Sequence, residues 1–221
     1  GYHATGTCGT IGVAIGVAAA MALSKYQMKN ALSAAATAAS GILEVIEDES
    51  ELKPFNVGRA ALDGYIAYSV ACAGFIGPND VLGGKRGFFS IMSDQFDLNQ
   101  IIHDPERPFA IEKVYIKPYA ACRHCHPAVD AAIKIRSNLG KQFCCQDVKS
   151  IKVYTYQLAV NGHDHNFIQS INSAKMSIPY SVAVALQTGK AGIEEFTEKT
   201  IRDVNLSVLT KTVNVYAKDE L

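Results

Sequence analysis

From Thr7 to Leu23 the chain carries no charged side chain and is rich in alanine and glycine. A membrane-spanning helix needs about 20 strongly apolar residues. This run is shorter and its side chains are small, so it reads as a packed helix of a globular domain. Gly9, Gly12 and Gly16 are expected to let a neighbouring helix approach closely. Ser24 is the expected N-cap of a second helix, Lys25 to Leu43. Met28, Leu32, Ala35 and Ala39 there share one face of a 3.6-residue period. After a loop at Glu47 to Pro54, a third helix is expected from about Val57 to Phe75. Gly77-Pro78-Asn79-Asp80 reads as a turn and cap, and Gly83-Gly84 as the end of a short helix. The first part of the chain thus predicts an all-α domain.

The texture changes at His103-Asp104-Pro105-Glu106-Arg107-Pro108, where two prolines mark a boundary. We place an all-helical domain over 1–105 and a smaller α+β domain over 106–221. Ala110 to Ile116 is a strand candidate. Val148 to Tyr156 alternates with period two, Ile151, Val153 and Thr155 against Lys152, Tyr154 and Tyr156. Val213 to Tyr216 is a third candidate. Helices are expected over Pro127 to Leu139, opened by proline, about Ser181 to Gln187, and about Thr200 to Leu209.

Net charge is zero over 221 residues, which argues against nucleic acid as a partner. The charge is uneven, however. Five acids fall between Glu44 and Glu51, and Arg107 to Lys152 holds nine Lys/Arg against three Asp/Glu. The basic stretch is either a solvated face or a cleft for carboxylate or phosphate. The six cysteines are irregularly spaced and follow no secretory signal, which reads as reduced thiols in a cytoplasmic protein. Lys218-Asp219-Glu220-Leu221 matches an endoplasmic-reticulum retrieval signal. With no secreted precursor visible, it reads as accidental. A chain that opens on Gly1, directly in a motif, is expected to be cut from a longer protein.

The densest chemistry is Ala121-Cys122-Arg123-His124-Cys125-His126-Pro127. Cys122-x-x-Cys125 has the spacing of half a zinc site, but the second pair is poor. Cys144-Cys145 are adjacent, and His163-x-His165 is the other choice. A redox Cys-x-x-Cys at a helix start lacks thioredoxin-like patterning around it. The third reading is an anion cradle at the N-terminus of the helix opened by Pro127, helped by Lys117, Arg123 and His124. An ordinary basic loop with core cysteines remains open. His3 is either a capping group or a proton carrier with a pKa near neutral. Tyr180, after Pro179, packs or holds a substrate oxygen. Arg59 meets an anion if buried and needs nothing if exposed. Cys8 is expected to be a packed small residue.

Several motifs occur in order: Gly1-Tyr2-His3-x-Thr5-Gly6, Val57-Gly58-Arg59-Ala60-Ala61, Gly77-Pro78 with Gly87-Phe88, Lys117-x-Tyr119-x-x-Cys122-Arg123-His124-x-His126-Pro127-Ala128-x-Asp130-Ala131, and Ala174-Lys175-Met176-Ser177-Ile178-Pro179-Tyr180. Together they resemble the MmgE/PrpD family, which includes 2-methylcitrate dehydratases, cis-aconitate decarboxylases and an iminodisuccinate epimerase. The resemblance implies a helical domain and an α+β lid with the active site between them, homodimers, and no metal or other cofactor. It also implies a longer family chain, of which this sequence starts midway through the helical domain and stops inside the lid. The fragment alone is therefore expected to be inactive.

By the same resemblance, His3, Lys117 and Tyr180 are the catalytic candidates. Arg59, Arg123, His124, His126 and Ser177 are the substrate-binding ones. Two departures speak against decarboxylation. The decarboxylases carry histidine at the position of Cys122 and lysine near Leu62. The 2-methylcitrate dehydratases differ too, with a Pro-Ala-Glu-Phe-His type segment in place of Ala120 to His126. The expected activity is a cofactor-independent lyase or isomerase acting on a small di- or tricarboxylate, in the manner of 2-methylcitrate dehydration. The alternatives are epimerisation of an imino- or hydroxy-dicarboxylate, and a non-catalytic metal- or anion-binding module around Cys122 to His126. No membrane partner is expected.

Overall fold

The computed structural model describes residues 1–46, 50, 52–102, 106–140 and 144–218. Half of the acidic Glu44–Glu51 stretch, half of the proline-marked boundary and the last three residues of the terminal tetrapeptide lie outside them. The chain divides into two compact units. One comprises Gly1–Ile46 and Glu51–Val114, and the other holds Tyr115–Leu221.

The first unit is helical. Its long helices are α1 (Ala4–Ala20), α2 (Lys25–Ala38) and α3 (Lys53–Cys72), followed by the short α4 (Phe88–Met92). Helix α1 is apolar all round but buries one narrow stripe, Gly6, Thr10, Ala14 and Ala18, spaced by four residues. On that stripe the three helices meet in alanine layers. Ala14 packs with Ala35 and Ala67, and Ala18 with Ala31 and Ala71. Ser24 caps α2 as expected, in a capping box with Gln27. Helix α3 starts earlier than its apolar pattern suggested, because Pro54 fits the first helical turn and so opens the helix rather than closing the loop.

Close approach falls at other glycines than those expected. A Cβ on Gly12 or Gly16 would meet nothing, and one on Gly9 would make ordinary contact with Ala60. A Cβ on Gly64 would lie 2.6 Å from Val13 Cβ and 2.8 Å from the Thr10 carbonyl oxygen. Cys8 faces outward rather than packing. No helix forms over Val81–Gly84. That segment is a turn, tied by the Gly83 N–H donating to Asp80 at 2.8 Å. Nor is Ala110–Ile116 a strand. Ala110–Lys113 is a 3-10 turn, and Ile111, Val114 and Ile116 are exposed.

The second unit holds α5 (His126–Leu139), β1 (Ile151–Thr155), α6 (Gln157–Val160), α7 (Ile171–Met176), α8 (Ile178–Thr188), α9 (Glu198–Ile201), α10 (Val204–Lys211) and β2 (Val213–Ala217). The strands pair in parallel, Ile151 opposite Val213 through Thr155 opposite Ala217. Parallel pairing requires a crossover, and the helices from α6 to α10 supply it. Helix α8 is the core. Its residues Ile178 to Leu186 are all buried, against Cys125, Val129 and Ala132 of the α5 region, Leu206 and Leu209 of α10, and Val213 of β2. The single helix expected over Thr200–Leu209 is split. Asp203 leaves the helical path and caps α10 by accepting from the Leu206 N–H at 2.8 Å. Among the described residues, no helix is long and apolar enough to cross a membrane.

Gly64→Ala is expected to push α1 and α3 apart and to destabilise the helical unit by about 1–3 kcal/mol. Gly12→Ala, at an open position in a helix, is expected to be neutral or stabilising. Denaturant unfolding followed by circular dichroism compares the two.

Candidate functional site

In the α+β unit the candidate residues gather where a loop enters α5. Cys122 is extended, with φ −57° and ψ 143°. It precedes a 3-10 turn, Arg123–Cys125, that runs on into α5. Two backbone bonds pin the loop. The Ala120 N–H donates to the Ala191 carbonyl at 3.0 Å and the Cys122 N–H to the Lys175 carbonyl at 2.7 Å. Lys117 and Arg123 are exposed. The Arg123 guanidinium lies 5.3 Å from the Tyr115 ring centroid. The positive end of a fourteen-residue helix thus carries two exposed cations.

The imidazoles here divide into two kinds. His124 is half-buried and its Nδ1 bonds the Tyr156 hydroxyl at 2.5 Å. Its ring centroid is 5.0 Å from that of His163. His163 is buried. Its Nδ1–H donates to the Asn161 carbonyl at 2.7 Å, which turns Nε2 toward the Cys122 Sγ, 3.2 Å away. His126 is also buried, with Nε2–H donating to the Ala121 carbonyl at 3.3 Å. Burial lowers the His126 pKa, with smaller contributions from Arg123 and Lys117. The two cysteines of Cys-x-x-Cys have different environments. Burial, and secondarily Cys122, pushes Cys125 up to about 12, so its thiol stays protonated.

Two expected site residues do their work inside the fold. The Ser177 hydroxyl accepts the Tyr180 N–H at 3.1 Å, capping α8, and donates to the His165 carbonyl at 2.6 Å. Tyr180 is 2% exposed and its hydroxyl donates to the Glu195 carbonyl at 2.8 Å. Burial raises its pKa. With His126, these residues hold the loop and α8 in place, and their polar atoms already have protein partners.

In the helical unit, His3 is half-buried at the N-cap of α1. Its N–H donates to the Gly41 carbonyl at 3.0 Å, and the Asn56 amide lies 3.0 Å from Nδ1. With the amide donating, a neutral ring carries its proton on Nε2. Burial, and secondarily the charge of Lys53, lowers the His3 pKa. Arg59 is paired within its own helix, Nε to Asp63 at 3.1 Å, and its guanidinium also donates to the Ser40 hydroxyl. The anion that Arg59 meets in this structure is thus Asp63, one turn along its own helix.

Asn56 and Tyr156 were not expected at these sites. Asn56 lies just before the Val57–Ala61 motif and 53 residues from His3, and Tyr156 is separated from His124 by 32 residues with no spacing rule to join them. Among the described residues, no group of three or more His, Cys, Asp or Glu is arranged to hold a metal ion.

The chain is thus a two-part protein, a helical unit and an α+β unit whose basic, imidazole-rich loop leads into a helix. The sequence models of the MmgE/PrpD N-terminal domain and C-terminal domain match residues 1–101 and 119–221, and the chain belongs to the MmgE/PrpD family. That family includes hydro-lyases, which makes the coarse reading enzymatic. No curated protein matches the chain.

Two measurements follow from these environments. Tyr180→Phe removes one of two hydroxyl donors to the Glu195 carbonyl, Thr200 being the other at 3.0 Å, and is expected to cost about 1 kcal/mol in denaturant unfolding. The lowered pKa values of His3 and His126 mean that the unfolded chain binds more protons below about pH 6.5. Their contribution to stability is full above that value and is lost as pH falls through the folded pKa values. The denaturation midpoint should fall below about pH 6.5, and fall less in His126→Gln.

Proposed function

We propose that the chain is a cofactor-independent lyase of the dehydratase type, acting on a small di- or tricarboxylate by removing a proton next to a carboxylate. The observation that supports this most is the N-terminal end of α5, the positive end of the helix dipole, with the exposed Lys117 and Arg123 and the half-buried His124 in the segment that leads into it. Such an end favours anions. Loss of a proton beside a carboxylate builds enolate-like charge, and fixed cations and N–H dipoles stabilise it where it develops. Lys117 and Arg123 reach from solvent toward that charge, while the Tyr156 hydroxyl orients His124.

In the helical unit, His3 is the proton carrier of this reading. Its depressed pKa keeps it neutral near pH 7, and the Asn56 amide on Nδ1 selects the tautomer with a proton on Nε2. That proton suits transfer to a departing hydroxyl. Tyr180 supports the α8 segment from inside. Epimerisation would use the same proton removal followed by return to the opposite face.

Calorimetry of the 221-residue chain against a panel of hydroxy- and unsaturated di- and tricarboxylates is expected to show binding. Arg123→Gln and Lys117→Ala should weaken it severalfold. In a longer chain that contains this one, His3→Gln should lower turnover by about 10²–10⁴-fold. Absence of both binding and turnover across the panel would overturn the proposal. Inversion of a stereocentre without loss of water would select the epimerase.

A further inference from the structure

We infer that Cys122 and His163 form a reactive thiol–imidazole pair that adds to α,β-unsaturated carboxylates. The inference rests on the carboxylate-binding reading for its ligand class, and on geometry alone for the thiol.

The pair has three features of an activated thiol. First, Cys122 Sγ is 3.2 Å from His163 Nε2, within reach for proton transfer from sulfur. Second, the imidazole is fixed. His163 is 4% exposed, and its Nδ1–H donates to the Asn161 carbonyl at 2.7 Å. In the neutral ring this leaves Nε2 as the acceptor facing the thiol, which is the nucleophile, base and orienting-group order of activated cysteines. Third, Cys122 is a partly exposed residue, at the head of the turn that leads into α5. A helix N-terminus and neighbouring cations favour thiolate. Cys125 has none of these features. It is fully buried, and its thiol is pushed up to about 12.

The setting selects the electrophile. Lys117 and Arg123 at the same end of α5 would hold a carboxylate. A carboxylate conjugated to a double bond presents an electrophilic β-carbon, and such an acid is what dehydration of a hydroxy acid yields. The step balances without an oxidant or reductant. His163 Nε2 takes the thiol proton, and the sulfur bonds to the β-carbon. The π pair moves to the α-carbon and its carboxylate, and the imidazolium returns the proton to the α-carbon. The net change is S–H added across C=C, a thioether on Cys122. A dehydratase built this way would be capped by its own accumulated product.

The test is site-resolved mass spectrometry of the intact 221-residue chain after timed exposure to iodoacetamide, or to fumarate with fumaramide as the neutral control. Cys8, Cys72 and Cys144 are exposed and serve as internal references. Iodoacetamide is expected to label Cys122 about tenfold faster than these references at neutral pH. His163→Gln should abolish the advantage while leaving the reference rates unchanged. Because His163 is buried, Cys122→Ser provides a second measurement. The thiolate absorbance of the native protein at neutral pH should fall in this variant. Fumarate should add to Cys122 in preference to the reference thiols, and Arg123→Gln should reduce that preference; fumaramide should show no such dependence on Arg123. Slow labelling of Cys122 together with no thiolate signal overturns the thiol pair and leaves the polycarboxylate reading standing. Fast iodoacetamide labelling without fumarate addition overturns the ligand class and counts against that reading as well.

Discussion

Helix α8 has no charged side chain between Ile178 and Leu186, and every one of those residues is buried. Water reaches little of this segment, so its polar groups look to the fold for partners, and the Ser181 hydroxyl is left without one among the described residues. The Ser177 hydroxyl takes the Tyr180 N–H, the Tyr180 hydroxyl finds the Glu195 carbonyl, and Gly189 ends the helix in the left-handed conformation at φ 77°. The rest of the α+β unit is arranged by what must cover this helix. Helix α5 covers one side, α10 another, and β2 a third. The loop before α5 is held by the Lys175 carbonyl just ahead of α8. The basic end of α5 therefore owes its position to a buried, apolar helix.

The helical unit solves a different problem. Alanine layers bury little area per residue, and at about 25 cal/mol per Å² they stabilise only modestly. They compensate by closeness. Gly64 lets the α3 backbone come against Thr10 and Val13, and no larger residue fits there. The same closeness brings Asn56, near the start of α3, to the His3 ring at the start of α1. Packing of small residues and the tautomer of a histidine are thus one structural fact seen at two levels.

Local rules made much of this legible in the sequence. Ser24 capped its helix, Pro127 opened one, and the alternation around Ile151 to Thr155 gave a strand whose odd residues turn inward. Errors came where a local pattern lacked a partner. Ile111, Val114 and Ile116 look like a strand, but among the described residues no neighbouring strand pairs with them, and a short apolar run alone does not make a sheet. Asp203 inside an expected helix was a capping signal that the apolar period concealed. At the site, the positive residues were legible because a helix start has a sign. The pairings His124 with Tyr156 and Cys122 with His163 were not, because they join residues 32 and 41 apart through the fold.

The Cys-x-x-Cys spacing misleads for a related reason. In a continuous helix, residues three apart share a face, and two thiols on one face suggest a shared ion or a disulfide. Cys122, however, is not helical. Its ψ is 143°, so the helical rule that would put the two side chains on one face does not apply. One thiol then enters the core beneath α8, while the other stays at the edge against an imidazole. The same four-residue segment thereby separates an inert cysteine from one with a base beside it. A single extended residue at the N-cap makes the difference, and spacing does not report that conformation.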